Sequence, residues 1–434
     1  MTSRNPSGSS PISHVIVIIQ ENRTFNNLFA TFPEAGVTGA TSGLKIGANG
    51  RDVTVKLTEG NLQDKINLTH SYSGFLTAFD NGKLDAFNKV QFASHKTEGN
   101  DPYEYVNPSQ IQPYWSMAQQ YGLANAMFAT QGSESFPAHQ DLIRGGTEIS
   151  PTESMIDNPP YSNGVWGCDS PKTTRTSLIS IYLQLQKKGG PFPCSSNFPN
   201  GGASYTTLRD TLDAAYVSWK YYAPQLKTSG AIWSAFDVIS PVRYGPEWST
   251  NVSSPETNVL SDISSGNLPQ MSWVVPDGAN SDHPGSGADM GPSWVASIVN
   301  AVGNSQYWNS CAIVVVWDDW GGFYDPVVPP VGRDTQGGPG LRVPMIVISP
   351  YARETSSSQP GYVSQTFYEF GSIVRFVEQT FNLPTLGTTD GTSNSISDMF
   401  NFNQSPRPFQ AIGSKYSRAH FLHEKHSNFP PDDD

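Results

Sequence analysis

Four short runs of consecutive apolar residues punctuate the chain: VIVII at 15–19, MSWVV at 271–275, AIVVVW at 312–317 and VPMIVI at 343–348. Each breaks off in polar or Gly/Pro-rich sequence. A strand exposed on one face alternates apolar and polar positions. Runs without alternation suit strands buried on both faces, as in a parallel sheet covered by helices. Between these runs the spacing becomes helical. Leu208, Leu212 and Ala215 recur within 204–216, and Val295, Ile298, Val299 and Val302 within 292–303. Phe367, Phe370, Ile373, Val374 and Val377 do the same within 364–381. The alternation predicts an α/β fold, a mostly parallel sheet flanked by helices. The stretches 30–115 and 150–202 read as loop-rich insertions, and the tail from Ser414 as a peripheral or frayed segment.

The strongest runs end in chemistry. VIVIIQ delivers Glu21-Asn22, WVVP delivers Asp277 with Asp282-His283 just beyond, and VVVW delivers Asp318-Asp319. In open α/β sheets, ligands bind beyond the carboxyl ends of strands. Adjacent carboxylates after a buried strand repel each other and lose hydration. They are also the hard oxygen donors that a divalent cation takes, and Gly321-Gly322 favours a tight backbone path beside such a ligand. Asn22 offers a carbonyl oxygen to a metal and an N–H to a substrate, but suits a plain turn equally well. Arg23 could clamp an anion or pair with a carboxylate.

In ATQGSESFPAHQDLIRGG (129–146), Ser133 and Ser135 stand in a turn before a helical stretch. Either could cap the helix or act as a nucleophile, and the residue types alone leave both open. No GxSxG elbow of the α/β-hydrolase kind is present. Of eight histidines, His283 and His70 are best placed for chemistry, and His139 lies four residues from Ser135. His420, His423 and His426 read as a solvated face near the end of the chain.

A formal charge of −12 over 434 residues argues against a nucleic-acid partner, whose phosphates attract basic surfaces. It does not argue against small anions, because one metal ion can reverse the local field. No apolar run approaches the roughly 20 residues needed to span a bilayer. Val15–Ile19 is too short for a signal-peptide core, so the expectation is a cytosolic chain or one whose signal has been removed. Cys168 and Cys194 lie in turn-rich sequence where a disulfide could close a loop, a pairing that the residues leave open. Cys311 reads as a buried thiol.

HVIVIIQENRTFNNLF (14–29) resembles the opening motif of the bacterial phospholipase C/acid phosphatase phosphoesterase family, of the alkaline-phosphatase-like superfamily. LTHSYSGFLTAFDNGKLDAF (68–87), SESFPAHQDLIRGG (133–146), WVVPDGANSDHPG (273–285), WDDWGGFYDPVVPP (317–330) and GSIVRFVEQTFNLP (371–384) resemble later motifs in the same order. The resemblance covers most of the chain and implies an alkaline-phosphatase-like core in one domain, 1–434, interrupted by the two insertions.

It implies one divalent metal ion (zinc, calcium, magnesium or manganese) held by Glu21, Asn22, Asp318 and Asp319. Ser135 rather than Ser133 is then the nucleophile, and it touches that metal. His70 and His283 are implied near the phosphate, as catalytic and substrate-binding residues. Asn22, His139 and Asp277 are counted with the substrate-binding residues. Asp277 stands where superfamily members with a second metal place a ligand, although a second metal is not expected here. One departure is Ala138, where the family commonly has an Asn that contacts phosphate.

The implied function is a secreted or periplasmic metal-dependent phosphoesterase. It would cleave phospholipid head groups as a phospholipase C, through a phosphoserine, in transient contact with a membrane surface. The alternatives are a broad-specificity acid phosphatase and, from another class, a non-catalytic anion- or carbohydrate-binding protein on the same scaffold.

Overall fold

A computed structural model describes residues 10–425, except 64, 161–164, 181–184, 188, 191–193, 195–204, 229, 286–288, 331–337 and 357–359. Its centre is an eight-stranded sheet. In chain order the strands are β1 (His14–Gln20), β2 (Gly122–Ala124), β3 (Trp219–Tyr222), β4 (Val252–Ser253), β5 (Met271–Val274), β6 (Cys311–Trp317), β7 (Met345–Ile348) and β8 (Tyr362–Ser364). Their spatial order is β4-β3-β5-β1-β6-β7-β2-β8.

β4, β3, β5, β1 and β6 are mutually parallel neighbours, as are β2 and β8. β7 runs antiparallel to both β6 and β2. The four apolar runs therefore all become strands, but VPMIVI departs from the parallel expectation. Continuous apolarity reports burial on both faces, and Met345–Ile348 is fully buried, so it carries no information about direction.

The main helices are α1 (Tyr72–Phe79), α2 (Ser135–Arg144), α3 (Leu208–Ala214), α4 (Gly291–Gly303), α5 (Phe370–Phe381) and α6 (Arg418–His423). Side chains fix several starts. Thr207 and Asp210 form a capping box on α3, which begins later than the apolar spacing suggests. α5 also starts late. Ser364 belongs to β8, paired with Ala124, and the Glu369 carboxylate caps the helix through Gly371 N–H at 3.0 Å. The stretch 364–381 is thus a strand end followed by a helix.

β1 lies at the middle of the sheet, between β5 and β6. Val15 to Ile19 and Ala312 to Trp317 are all at 0% exposure. Burying each such aliphatic side chain contributes about 1.5–3 kcal/mol, so the central strands are the most firmly held part of the fold. Because β1 and β6 are parallel and in register from His14–Cys311 to Gln20–Trp317, both release their next residues at the same edge.

The insertions carry more order than their composition suggests. Ser42–Ile46 and Asp52–Lys56 form a hairpin. Glu148–Ser150, Glu153–Ile156, Ser177–Ser180 and Leu185–Gln186 form a small antiparallel sheet. Cys168 and Cys194 are joined by a disulfide with Cα atoms 4.8 Å apart, and Cys311 is a buried thiol. The tail packs: Phe421 of α6 is buried edge-on against Trp294, ring centroids 5.4 Å apart. His426 lies outside the described residues. Among the described residues, no helix is long and apolar enough to cross a membrane.

Candidate active site

The register of β1 and β6 brings Glu21-Asn22 and Asp318-Asp319 together. Asn22 leaves β1 with a left-handed φ of 58°, and its N–H donates to Asp318 Oδ1 at 2.8 Å. Asp319 N–H donates to the same oxygen at 2.7 Å, and Gly321 N–H to Asp319 Oδ1 at 2.7 Å. Backbone donors thus hold both carboxylates. Gly321 has a φ of 53°, and a Cβ there would stand 2.0 Å from the Asn22 carbonyl oxygen. Only glycine lets the two strand ends pass this closely.

Ser135 is the first residue of α2. It is fully buried, and its hydroxyl donates to Asp319 Oδ2 at 3.2 Å. The helix directs its positive end toward this hydroxyl, which favours an anion there. Ser133 is turned away. Its hydroxyl donates to Asp157 Oδ1 at 3.2 Å and accepts from Asp157 N–H at 2.8 Å.

His139 follows Ser135 by one helical turn, and its Nε2 is 3.0 Å from Glu21 Oε1 and 3.8 Å from Asp318 Oδ2. Burial pushes its pKa down to about 4, against the opposing pull of Asp318. Near neutral pH the ring is uncharged, and its Nε2–H donates to Glu21. Glu21, His139 and Asp318 bring one ligand atom each within 4.8 Å of one another. His139 thus sits among the carboxylates, a place the sequence reading did not foresee.

His70 Nδ1–H donates to Leu68 O at 2.7 Å. The lone pair left on Nε2 accepts from Asn22 Nδ2 at 2.9 Å, and this Nε2 is 3.8 Å from Asp319 Oδ2. That bond orients the Asn22 amide. Its Oδ1, on the other side, is buried and has no hydrogen-bond partner. Asp318 Oδ2 is in the same condition.

His283 lies beside His70, ring centroids 6.5 Å apart, and stacks on Trp233 at 5.6 Å. Its Nδ1–H donates to Pro284 O at 2.6 Å. Arg23 bonds to neighbouring loops. Its Nε donates to Asp282 O at 2.9 Å, Nη1 to Asn27 Oδ1 at 3.1 Å and Nη2 to Leu62 O at 2.7 Å, fastening the strand end to neighbouring loops.

Asp277 is held in a different group. It caps the short turn Gly278–Asn280, accepting from Asn280 N–H at 3.1 Å and Asn280 Nδ2 at 2.9 Å. The same amide donates to Glu424 Oε1 at 2.8 Å. The stacking of Trp233 on His283 and the bonds of Asp157 and Asn158 to the Ser135 turn are likewise not foreseen from the sequence. A single tryptophan gives no signal of its own. The dipeptide Asp-Asn after the apolar pair Met155-Ile156 is a turn signal in the sequence.

The sequence pattern of the phosphoesterase family matches residues 12–384. The chain belongs to the phosphoesterase family. It is 25% identical to the non-hemolytic phospholipase C of Pseudomonas aeruginosa, covering 92% of this chain and 59% of that protein. It is 28% identical to phospholipase C A of Mycobacterium tuberculosis, covering 92% of this chain and 79% of the relative. The chain thus spans well under two thirds of the Pseudomonas protein. A solved structure of a protein in the alkaline phosphatase superfamily from Vibrio parahaemolyticus is similar at a TM-score of 0.38 and 10% identity, over 90% of this phosphoesterase chain and 72% of that one. So slight a likeness adds nothing to what the sheet order already shows.

Proposed function

We propose that the protein hydrolyses phosphoric esters as a phospholipase C, removing phosphorylated head groups from phospholipids through a phosphoserine at Ser135. The observation that carries this reading is Ser135. It is a buried hydroxyl at the start of a ten-residue helix, 3.2 Å from Asp319. Phospholipase C relatives that match over 92% of the chain support the choice of substrate.

The residues fit a divalent cation. Asn22 Oδ1 and Asp318 Oδ2 are buried oxygens without hydrogen-bond partners, and three carboxylates crowd one strand edge. Glu21, Asn22, Asp318, Asp319 and Ser135 would hold the ion, and their hard oxygens suit zinc, manganese, magnesium or calcium. When bound, such an ion supplies positive charge for the serine oxygen and the substrate phosphate.

The chain's own groups do the rest. The Ser135 proton leaves along its bond to Asp319, and Oγ attacks phosphorus as the bond to the glyceride oxygen breaks. His283, protonated at Nε2, gives that proton to the departing oxygen. Water then attacks phosphorus as the Ser135 Oγ–P bond breaks; His283 Nε2 takes a proton from the water, and Asp319 returns its proton to Ser135 Oγ. His70 Nε2 holds the Asn22 amide through Nδ2, which leaves Oδ1 open to the ion. The disulfide Cys168–Cys194 suits an oxidising compartment, and we assign the protein outside the cytoplasm, meeting lipid transiently at a membrane surface.

The test is acid quench during turnover of labelled phosphatidylcholine and of p-nitrophenyl phosphate, followed by peptide mapping. Label on Ser135 with preference for the lipid is the expected result. Preference for the monoester would favour an acid phosphatase. Absence of turnover on either, in protein that holds metal, would favour a binding protein on this scaffold.

A further inference from the structure

Residues 157 and 158 follow the strand Glu153–Ile156 of the small antiparallel sheet, inside what the sequence presents as an insertion. Asp157 adopts a left-handed φ of 53°, which residues other than glycine rarely take. Held backbone of this kind clusters at functional sites.

The bonds of these two residues are concentrated on one target. Asp157 exchanges two hydrogen bonds with Ser133, N–H to Oγ at 2.8 Å and Oγ–H to Oδ1 at 3.2 Å. Asn158 Oδ1 accepts from Phe136 N–H at 2.8 Å, and Asn158 N–H donates to Glu134 Oε2. Ser133, Glu134 and Phe136 are the neighbours of Ser135 on both sides. Asp157 Oδ1 also accepts from Tyr72 N–H at 2.8 Å, and Tyr72 stands two residues after His70.

The helix start is unusual for the same reason. Glu134, in the N-cap position of α2, makes no side-chain capping bond. Its carboxylate is on Asn158 N–H, and the orphan N–H of Phe136 is satisfied by the Asn158 side chain instead. An N-cap normally comes from the residue that opens the helix. Here it is supplied from a residue 22 positions away. Ser135, relieved of any capping task, is left to face Asp319.

We propose that Asp157 and Asn158 are positioning residues. They touch no reacting atom, and they fix where the Ser135 hydroxyl stands relative to Asp319 and His70. This rests on Ser135 being the nucleophile. A serine displaced by about 1 Å loses on the order of 10²-fold in rate, because attack needs a near-aligned geometry.

The test is steady-state turnover of p-nitrophenylphosphorylcholine by the full chain, with acid-quench measurement of phosphoserine formation and a thermal melt for each variant. Asp157→Ala and Asn158→Ala should each lower kcat and the rate of phosphoserine formation by about 10–100-fold, with KM changed less than about threefold. Asp157→Asn and Asn158→Asp keep the Oδ1 acceptor and should restore kcat to within about threefold. Lower melting temperatures with unchanged kcat in both alanine variants would overturn the proposal, leaving only a structural role.

If the alanine variants do not fold, Ser133→Ala removes both bonds between Ser133 and Asp157 without touching the insertion. It should lower kcat with KM preserved, and an unchanged kcat there would overturn the Asp157 assignment. Ser135→Ala runs in the same assay. Near-normal turnover in that variant would remove the nucleophile reading and this inference with it. A dead Ser135→Ala beside fully active Asp157→Ala and Asn158→Ala would remove this inference alone.

Discussion

Two groups of carboxylates, one at the ends of β1 and β6 and one around Asp277 after β5, deal with their mutual repulsion differently. Asp318 and Asp319, after β6, are held by backbone N–H groups and by the Ser135 hydroxyl, and Glu21, after β1, by the His139 ring. Glu21 and Asp318 turn ligand atoms toward one centre with His139. Glu256, Asp277 and Glu424 are not so gathered: Asn280 stands between Asp277 and Glu424. Burial, then the charges of Asp277 and Glu424, push the pKa of Glu256 up to about 8. Burial pushes Glu424 up to about 7. The second group relieves its charge by keeping protons. The first has the convergent geometry of a cation site. Convergence of donor atoms, rather than acidity, is what separates a metal site from a buried acidic cluster.

The largest effect expected on either side of this contrast is at Ser135. Ser135→Ala should lower turnover by several orders of magnitude, on the order of 10⁴-fold or more, and abolish the phosphoserine. Bound metal, measured by elemental analysis, should persist because four other ligands remain. Near-normal turnover in this variant would separate the carboxylate group from catalysis.

Next in size, Asp318→Asn and Asp319→Asn should each cut turnover by about 10²-fold and reduce metal content, since each removes ligand charge from the converging group. Circular dichroism should show an intact fold. A variant with unchanged metal and activity would remove that residue from the site.

The smallest effect belongs to the second group. The folded pKa of Glu256 lies above its unfolded value, so the folded state holds a proton that the unfolded chain has already released. The stability contributed by that proton is full below about pH 4.5 and is lost as pH rises through about 8. The slope is at most about 1.4 kcal/mol per pH unit for one proton. Glu256→Gln should flatten the decline in urea-unfolding free energy between pH 6 and 9 and leave turnover within about twofold. Parallel stability curves for the variant and the parent would show that Glu256 titrates normally.

Much of the candidate site was legible in the sequence because the same feature produced both strand and strand-end carboxylates. The apolar runs 15–19 and 312–317 pair in parallel register, so the polar residues that follow each run must meet. Asp277 also follows a strand, yet a local bond to Asn280 claimed its carboxylate, a competition that strand-end reasoning does not see. His139 was visible as one helical turn from Ser135, but the partner of its ring, Glu21, comes from 118 positions away. Asp157 and Asn158 were hidden for a similar reason: hydrogen bonds between two turns depend on how the small sheet docks, which no periodicity records. The direction of β7 was likewise silent, because burial on both faces looks alike in parallel and antiparallel strands.

The central claim is that a divalent cation belongs to the first carboxylate group and not to the second. Calorimetric titration of zinc, manganese, magnesium and calcium into chelator-stripped protein tests it most directly, with the parent, Asp318→Asn and Glu256→Gln compared at one pH. The account predicts a single site for at least one of these ions in the parent, unchanged in Glu256→Gln and lost or weakened by about 10-fold or more in Asp318→Asn. Binding that survives Asp318→Asn and disappears in Glu256→Gln, or no binding of any of the four ions to the parent, would contradict it.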